Sequence, residues 1–414
     1  MIKLGLNNVV NTIMFLYIIS LYLFTYTEDF IVSNALALLL IASIWANFLL
    51  TRRKLVFNKL LFIFLLFTAI CSFSVFYAID QSVAITQVRT LILIFIVMLS
   101  LVNYIDSTEK LKAFMAYFIY AGCIASIYIF SANDFSQLTR FGSELGNVNA
   151  VGMIIGISAT FCFYIMLHEK KFLYLLPFVI MTITILLTGS RKSLLFICMN
   201  IVIIIYLRNR HSLKGKLKFI IVSLIILIIT SYLIFNIPIF YKIIGKRVEN
   251  MFVFVLGKGT REGSINMRAY MIQIGHELFK DRPLTGYGIN NYRILFSQVP
   301  GGRETYAHNN IIELMVGTGI FGVIFYYLTH FVVLKDLFKS SKSKPYQTLC
   351  YTFIAIILSY TLLSVALIYY YGKHFSFLLA VASVIGRIIK LEKEKMEKPE
   401  ITTIKTLAKG VNDV

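Results

Sequence analysis

The sequence predicts an all-α polytopic membrane protein with about twelve transmembrane helices and one large, partly helical loop on the outer face. Three observations predict it. Hydrophobic residues make up 58% of the chain, and Asp, Glu, Lys and Arg together only 14%, well below the roughly one quarter of charged residues usual in soluble domains. Apolar runs recur from Val9 to Arg387, and crossing the roughly 30 Å hydrocarbon core as a helix takes about 20 such residues. Lys and Arg gather in alternate connections between the runs, which is the asymmetry that orients membrane helices.

The expected spans are 9–26, 31–50, 60–78, 90–104, 111–131, 148–167, 172–187, 194–207, 219–237, 308–334, 347–367 and 374–389. The first run is long, weakly basic at its start and followed by Glu28 and Asp29 rather than a small-residue cleavage site, so it reads as a retained span and not a signal peptide. Arg52, Arg53, Lys54 and Lys59, then Lys110 and Lys112, then Lys170 and Lys171 mark the cytoplasmic turns. Arg208, Arg210, Lys214, Lys216 and Lys218 fall on the same side, as do Lys335, Lys339, Lys342, Lys344 and the charged tail after Arg387. Both termini are therefore expected in the cytoplasm. Glu28, Asp29, Asp80, Asp134 and Glu144 then lie outside.

The chain divides into the first nine helices (1–237), a large extracytoplasmic loop (238–307), the last three helices (308–389) and a cytoplasmic tail (390–414). The loop carries ten Lys or Arg against five Asp or Glu; loops this long are exempt from the orientation rule, so that excess has another cause. The formal charge of +20 collects beside spans, which fits anionic headgroups rather than nucleic acid. Cys71, Cys123, Cys162, Cys198 and Cys350 are odd in number and widely separated, without zinc spacing or a disulfide framework. No internal repeat suggests a two-fold transporter.

Three places can hold chemistry. The turn from Thr188 to Ser193 is flanked by apolar runs of 16 and 14 residues, roughly 21 to 24 Å of helix, too short to cross fully. The turn should be recessed, and a guanidinium there, Arg191, is tolerable only within protein or a wet cavity; the alternative is a snorkelling anchor. In the loop, Met267, Tyr270, Met271, Ile274 and Leu278 follow helical spacing, so a helix can lay that stripe on the membrane surface or the protein body with Arg268 projecting beside it. Asp281, Arg282, Pro283 and the Gly286, Tyr287, Gly288 turn follow. Arginine forks match phosphate oxygens, so a basic outer loop suggests an anionic lipid-linked substrate.

The third place is His308, with Asn309 and Asn310, where the loop re-enters the membrane. Imidazole exchanges protons near neutrality. Asn309 and Glu313 are spaced to orient each other on one helix face, and Gly317, Gly319 and Gly322 suit close packing against a neighbour. His168, His211, His276, His330 and His374 read as interfacial. No metal site is visible; Glu28 with Asp29 is the one acidic pair in an outer loop able to bind a cation.

In order, Ser190 with Arg191, Arg268 with the Pro283–Gly288 segment, and Ala307, His308, Asn309 before a Gly-rich span resemble the O-antigen ligase and polymerase family of bacterial membrane glycosyltransferases. The resemblance implies a GT-C-like fold in the bacterial cytoplasmic membrane and a metal-independent, cofactor-free, inverting transfer of a glycan from a polyprenyl diphosphate carrier. It implies that Arg191 and Arg268 hold the diphosphate with Arg261 as a helper, that Ser190, Tyr287 and Asn309 also contact substrate, and that His308 is the general base. Lys192 departs from the small residue expected beside Arg191. The favoured function is polymerisation of lipid-linked oligosaccharide repeat units into a cell-surface polysaccharide such as O-antigen, capsule or exopolysaccharide. Ligation of finished chains to a surface acceptor is the alternative, and a polysaccharide flippase or transporter is the reading of another class. The expected partners are the polyprenyl diphosphate-linked oligosaccharide, membrane lipids and other polysaccharide-assembly membrane proteins such as a flippase or chain-length regulator.

Overall fold

A computed structural model describes residues 2–24, 30–52, 54–136, 139–255 and 263–397, and among them there is no β-strand. The chain runs through α1 (Ile2–Leu23), α2 (Phe30–Leu50), α3 (Lys59–Phe73), α4 (Gln81–Tyr104), α5 (Thr108–Ala132), α6 (Val148–His168), α7 (Leu175–Leu187), α8 (Arg191–Asn209) and α9 (Leu213–Asn236). The loop contains the single turn α10 (Pro238–Phe240), α11 (Lys246–Val255), α12 (Gly263–Asp281) and α13 (Tyr292–Ser297); α14 (Asn310–Ser340), α15 (Gln347–Leu363) and α16 (Lys373–Glu397) complete it. Among the described residues eleven helical stretches are long and apolar enough to cross a membrane, and the shorter Phe172–Leu187 stretch sits between two of them in sequence. The protein is an all-α, multi-pass membrane protein.

Polar residues punctuate these runs. Asn58, Asp80, Ser107, Asn147, Ser190, Ser212 and Asn309 each accept a backbone N–H at a helix start, satisfying donors that have no partner inside the helix. Two expected boundaries are corrected. α4 begins at Gln81, not 90, and so takes Arg89 into the span; a hydropathy reading ends a run at such a charge. α8 begins at Arg191 and has 19 residues, so only α7 is short.

α6, α15 and α16 form the buried centre: α6 packs on α5, α7 and α8, and α15 on α8, α14 and α6. Small residues permit the close contacts; a Cβ at Gly152 would lie 2.5 Å from Ser193 Oγ. Buried hydroxyls and amides pair between helices, as in Tyr22 with Ser158 (2.5 Å) and Asn200 with Thr160 (3.0 Å). α9, by contrast, packs mainly on α8 and turns Leu224, Leu227 and Ile228 outward.

The loop builds a small core of its own. Met271, Tyr292, Phe296, Ile312 and Val316 are buried together, with Met267, Tyr270, Ile274 and Leu278 packed against them. The apolar stripe of α12 therefore lies on the protein body, on α14. α14 itself is broken at Gly319, where φ is +64°. The freed backbone groups find partners in the loop: Ile320 N–H donates to Pro283 O and Tyr287 N–H to Val316 O, both at 2.8 Å, which is how irregular backbone is tolerated at membrane depth. Gly317 and Gly319 thus receive the 284–290 segment, whereas Gly322 meets Thr318 of its own helix. At the far end of the bundle, Asn47 bonds to Asn7 and Arg387 to the Ile105 carbonyl, so the start of α1 and the end of α16 share the face opposite the loop.

Candidate active site

At the loop face, helix starts converge on a cavity of about 430 Å³. It is lined by Phe30 and Asn34 of α2, Arg89 of α4, Asn147 and Asn149 at the start of α6, Lys192 of α8, Tyr306 and His308 before α14, and the 367–374 segment entering α16. Its charged lining residues are Arg89, Lys192 and Lys373, with no carboxylate among them. A cavity of one sign concentrates anions.

The 188–191 turn lies under the loop. Thr188 and Ser190 are fully buried, and Gly189 adopts φ +59° with its Cα side 2.9 Å from Ile243 O for any added Cβ, so a larger residue would meet backbone on top of the left-handed strain. Arg140 donates to Thr188 O (2.8 Å) and to Asn149 Oδ1 (3.2 Å), Arg247 to Gly189 O (2.7 Å), and Arg191 to Arg247 O (2.8 Å). Burial, then the Arg247 and Arg191 charges, lower the Arg140 pKa to about 10, so it stays charged at neutral pH. Ser190 Oγ accepts from Ser193 N–H and from Ser193 Oγ–H; its hydroxyl shapes the turn and does not line the cavity. The turn is buried beneath the 241–247 segment. Lys192 reaches on into the cavity, its Nζ donating to Ala366 O.

His308 is half-buried with φ +54°. A left-handed non-glycine residue costs about 1–3 kcal/mol unless its surroundings hold it. They do so on both sides: Glu313, buried in α14, accepts Ala307 N–H at 2.8 Å, and Asn309 caps α14 by accepting from Ile311 and Ile312 N–H. Asn309 and Glu313 therefore do not orient each other, as their spacing had suggested; each holds backbone beside His308. The imidazole packs at a tilt of 53° against Tyr306 with ring centroids 4.2 Å apart and makes no hydrogen bond to a described residue. Burial, then Arg268, Lys192 and Arg303, push its pKa down to about 4, so at pH 7 it is a neutral base.

Arg268 is half-buried on α12, without a hydrogen bond to any described residue, and close enough for its charge to act on His308 and Lys192. Tyr287 is set back, its ring under the Arg282 guanidinium at 4.6 Å and its hydroxyl toward Asp281; it supports the loop core and does not line the cavity. Arg261 lies outside the described residues, as do Glu28 and Asp29. Among the described residues no three His, Cys, Asp or Glu side chains come together.

Residues 176–327 match the family model described as O-antigen ligase. The chain carries an O-antigen ligase family domain. This domain runs from α7 into α14 and contains the 188–191 turn, α12 and His308. The match supports an O-antigen ligase or polymerase type of function in general. Arg89 and Lys373, on the opposite wall, lie outside the O-antigen ligase segment. A comparison with curated proteins gives no match.

Sequence reasoning missed four contributors to the site. Arg89 was excluded by a boundary drawn after it, Lys192 was noted only as a departure, Lys373 was passed over, and His374 was read as interfacial. His374 is nearly buried and pairs with Tyr360 OH at 3.1 Å, and His330, also buried, pairs with Tyr369 OH at 3.3 Å; both are corrected from interfacial to interior. A lone charge inside an apolar run, and a Lys-His pair opening one, were the available signals.

Proposed function

We propose that the protein polymerises lipid-linked oligosaccharide repeat units, transferring a glycan from a polyprenyl diphosphate carrier to a sugar hydroxyl on the outer face of the bacterial cytoplasmic membrane. The observation that carries this reading is the imidazole of His308, held without a hydrogen bond to any described residue in a cavity whose described charged lining is cationic. The acceptor oxygen attacks the anomeric carbon from the face opposite the diphosphate, inverting it. The carbon–oxygen bond to phosphate breaks and its electron pair leaves with the diphosphate, while the hydroxyl proton passes to His308. Arg268 and Lys192 stabilise the departing charge more in the transition state than before it, a role that asks for no metal, while Arg191 holds the turn beneath them. An imidazole with a pKa near 4 is a weak base, but the incoming diphosphate partly cancels the Arg268 and Lys192 charges and raises its basicity.

Orientation with both termini cytoplasmic supports the same reading, since basic residues gather at the ends of α2, α8 and α14, on the face away from the cavity. The test is transfer by reconstituted protein from a synthetic prenyl diphosphate-linked repeat unit supplied alone. A ladder of products separated by one repeat is expected. Transfer that occurs only when a second, structurally different acceptor is added would replace polymerisation by ligation.

A further inference from the structure

The wall of the cavity outside the O-antigen ligase segment has a cationic pole of its own. Arg89 stands eight residues after Gln81 in α4, roughly 12 Å along the helix, a depth at which a guanidinium requires protein or water around it. It makes no hydrogen bond to a described residue and lines the cavity. Lys373 is 9% exposed and donates to Ser33 Oγ (3.1 Å) and Asn34 Oδ1 (2.6 Å). Both acceptors are neutral, and an ammonium has three N–H donors; one donor and the whole charge are left to the cavity. Among the described residues no carboxylate pairs with this ammonium; a nearly buried ammonium so placed is costly, and a ligand oxyanion offsets that cost.

These two cations come from other elements than the transfer chemistry: Arg89 from α4 and Lys373 from the start of α16, whereas Lys192, Arg268 and His308 come from α8, α12 and the segment before α14. The same lining contributes asparagine amides and the rings of Tyr306, Tyr360, Tyr369 and Tyr371, groups that pair with hydroxyls and present flat apolar faces. That is a surface for sugar rather than for a second carrier.

We propose that Arg89 and Lys373 hold an anionic substituent, a carboxylate or a phosphate, on the saccharide next to the bond being made, so that the protein's substrates are acidic glycans. The proposal rests on the glycosyl-transfer reading for its biological setting, but its test reads binding alone. Purified protein in nanodiscs is titrated calorimetrically with four probes: a glucuronate-bearing trisaccharide, its glycerol-phosphate analogue, its neutral counterpart, and a short prenyl diphosphate without sugar. At least one acidic trisaccharide is expected to bind about 10–100-fold more tightly than the neutral one, the loss expected for one charge-assisted hydrogen bond, and which of the two binds identifies the anion. Arg89→Gln and Lys373→Gln should each erase that preference, Arg89→Lys should keep most of it, and prenyl diphosphate affinity should stay within about twofold. Equal binding of acidic and neutral trisaccharides by the unsubstituted protein overturns the proposal even when the variants fail to fold. So does a parallel loss of prenyl diphosphate binding in Arg89→Gln, which would assign the pole to the carrier. Absence of polymer growth from any substrate, with the acid preference intact, would instead remove the polymerase reading and leave this pole in place.

Discussion

The 188–191 turn and the 306–309 segment are both held under the loop, yet they use their polar groups in opposite ways. In the first, three arginines and two hydroxyls are engaged with backbone carbonyls and with one another. In the second, the surrounding Glu313 and Asn309 hold the backbone, and the imidazole they position is left unbonded. The difference separates groups that build the cavity from groups that act in it. Arginine alone does not mark a ligand contact; an arginine or histidine whose hydrogen-bonding capacity the protein leaves unused does.

Substitution should break this comparison most sharply at His308. His308→Ala is expected to lower transfer by about 10²–10⁴-fold, the usual contribution of a general base, with the thermal midpoint little changed because alanine keeps the Cβ and with it the left-handed strain; undiminished turnover in the reconstituted assay would take His308 out of the mechanism. Next comes Arg268→Ala, expected to cost about 10²–10³-fold in kcat as a lost stabiliser of leaving-group charge, with Arg268→Lys intermediate. A change confined to KM would make Arg268 a ground-state anchor instead.

The pH profile sharpens the same contrast. Protonation of His308 removes the base, so kcat/KM should fall toward acid with a limb near the free-protein value of about 4. Bound diphosphate favours the imidazolium, so the kcat limb should lie at higher pH. Coincident limbs would mean that the substrate does not approach the ring. For the built turn, Arg140→Met leaves Thr188 O and Asn149 Oδ1 without their donor and should cost about 1–3 kcal/mol of stability, lowering activity only as the folded fraction falls. The smallest effect is expected from Asn309→Ala, about 1 kcal/mol for a lost helix cap, measured by thermal unfolding in detergent.

Much of the fold was legible because the bilayer requires long apolar runs and helical backbone, and both leave plain traces in a sequence. The α12 stripe and the buried turn before Arg191 were legible for the same reason. The opposite wall was not. Arg89 interrupts a run, and a reading by hydropathy starts the span after it, although the structure carries the helix through and sets Arg89 in the cavity lining. Lys373 joins Ser33 and Asn34 across more than three hundred residues, a pairing that no local pattern records. The break at Gly319 was read as tight helix packing, since spacing alone does not distinguish a neighbouring helix from a loop that inserts its carbonyls.

A chamber whose fixed charges share one sign also has an ionic history before any sugar arrives. Electroneutrality draws chloride, phosphate or sulfate from the buffer toward Arg89, Lys192 and Lys373, and each arriving substrate must displace them. Association is then an exchange reaction, and its apparent strength falls as multivalent buffer anions are added. Assays run in phosphate and in a zwitterionic buffer would report different constants for the same protein.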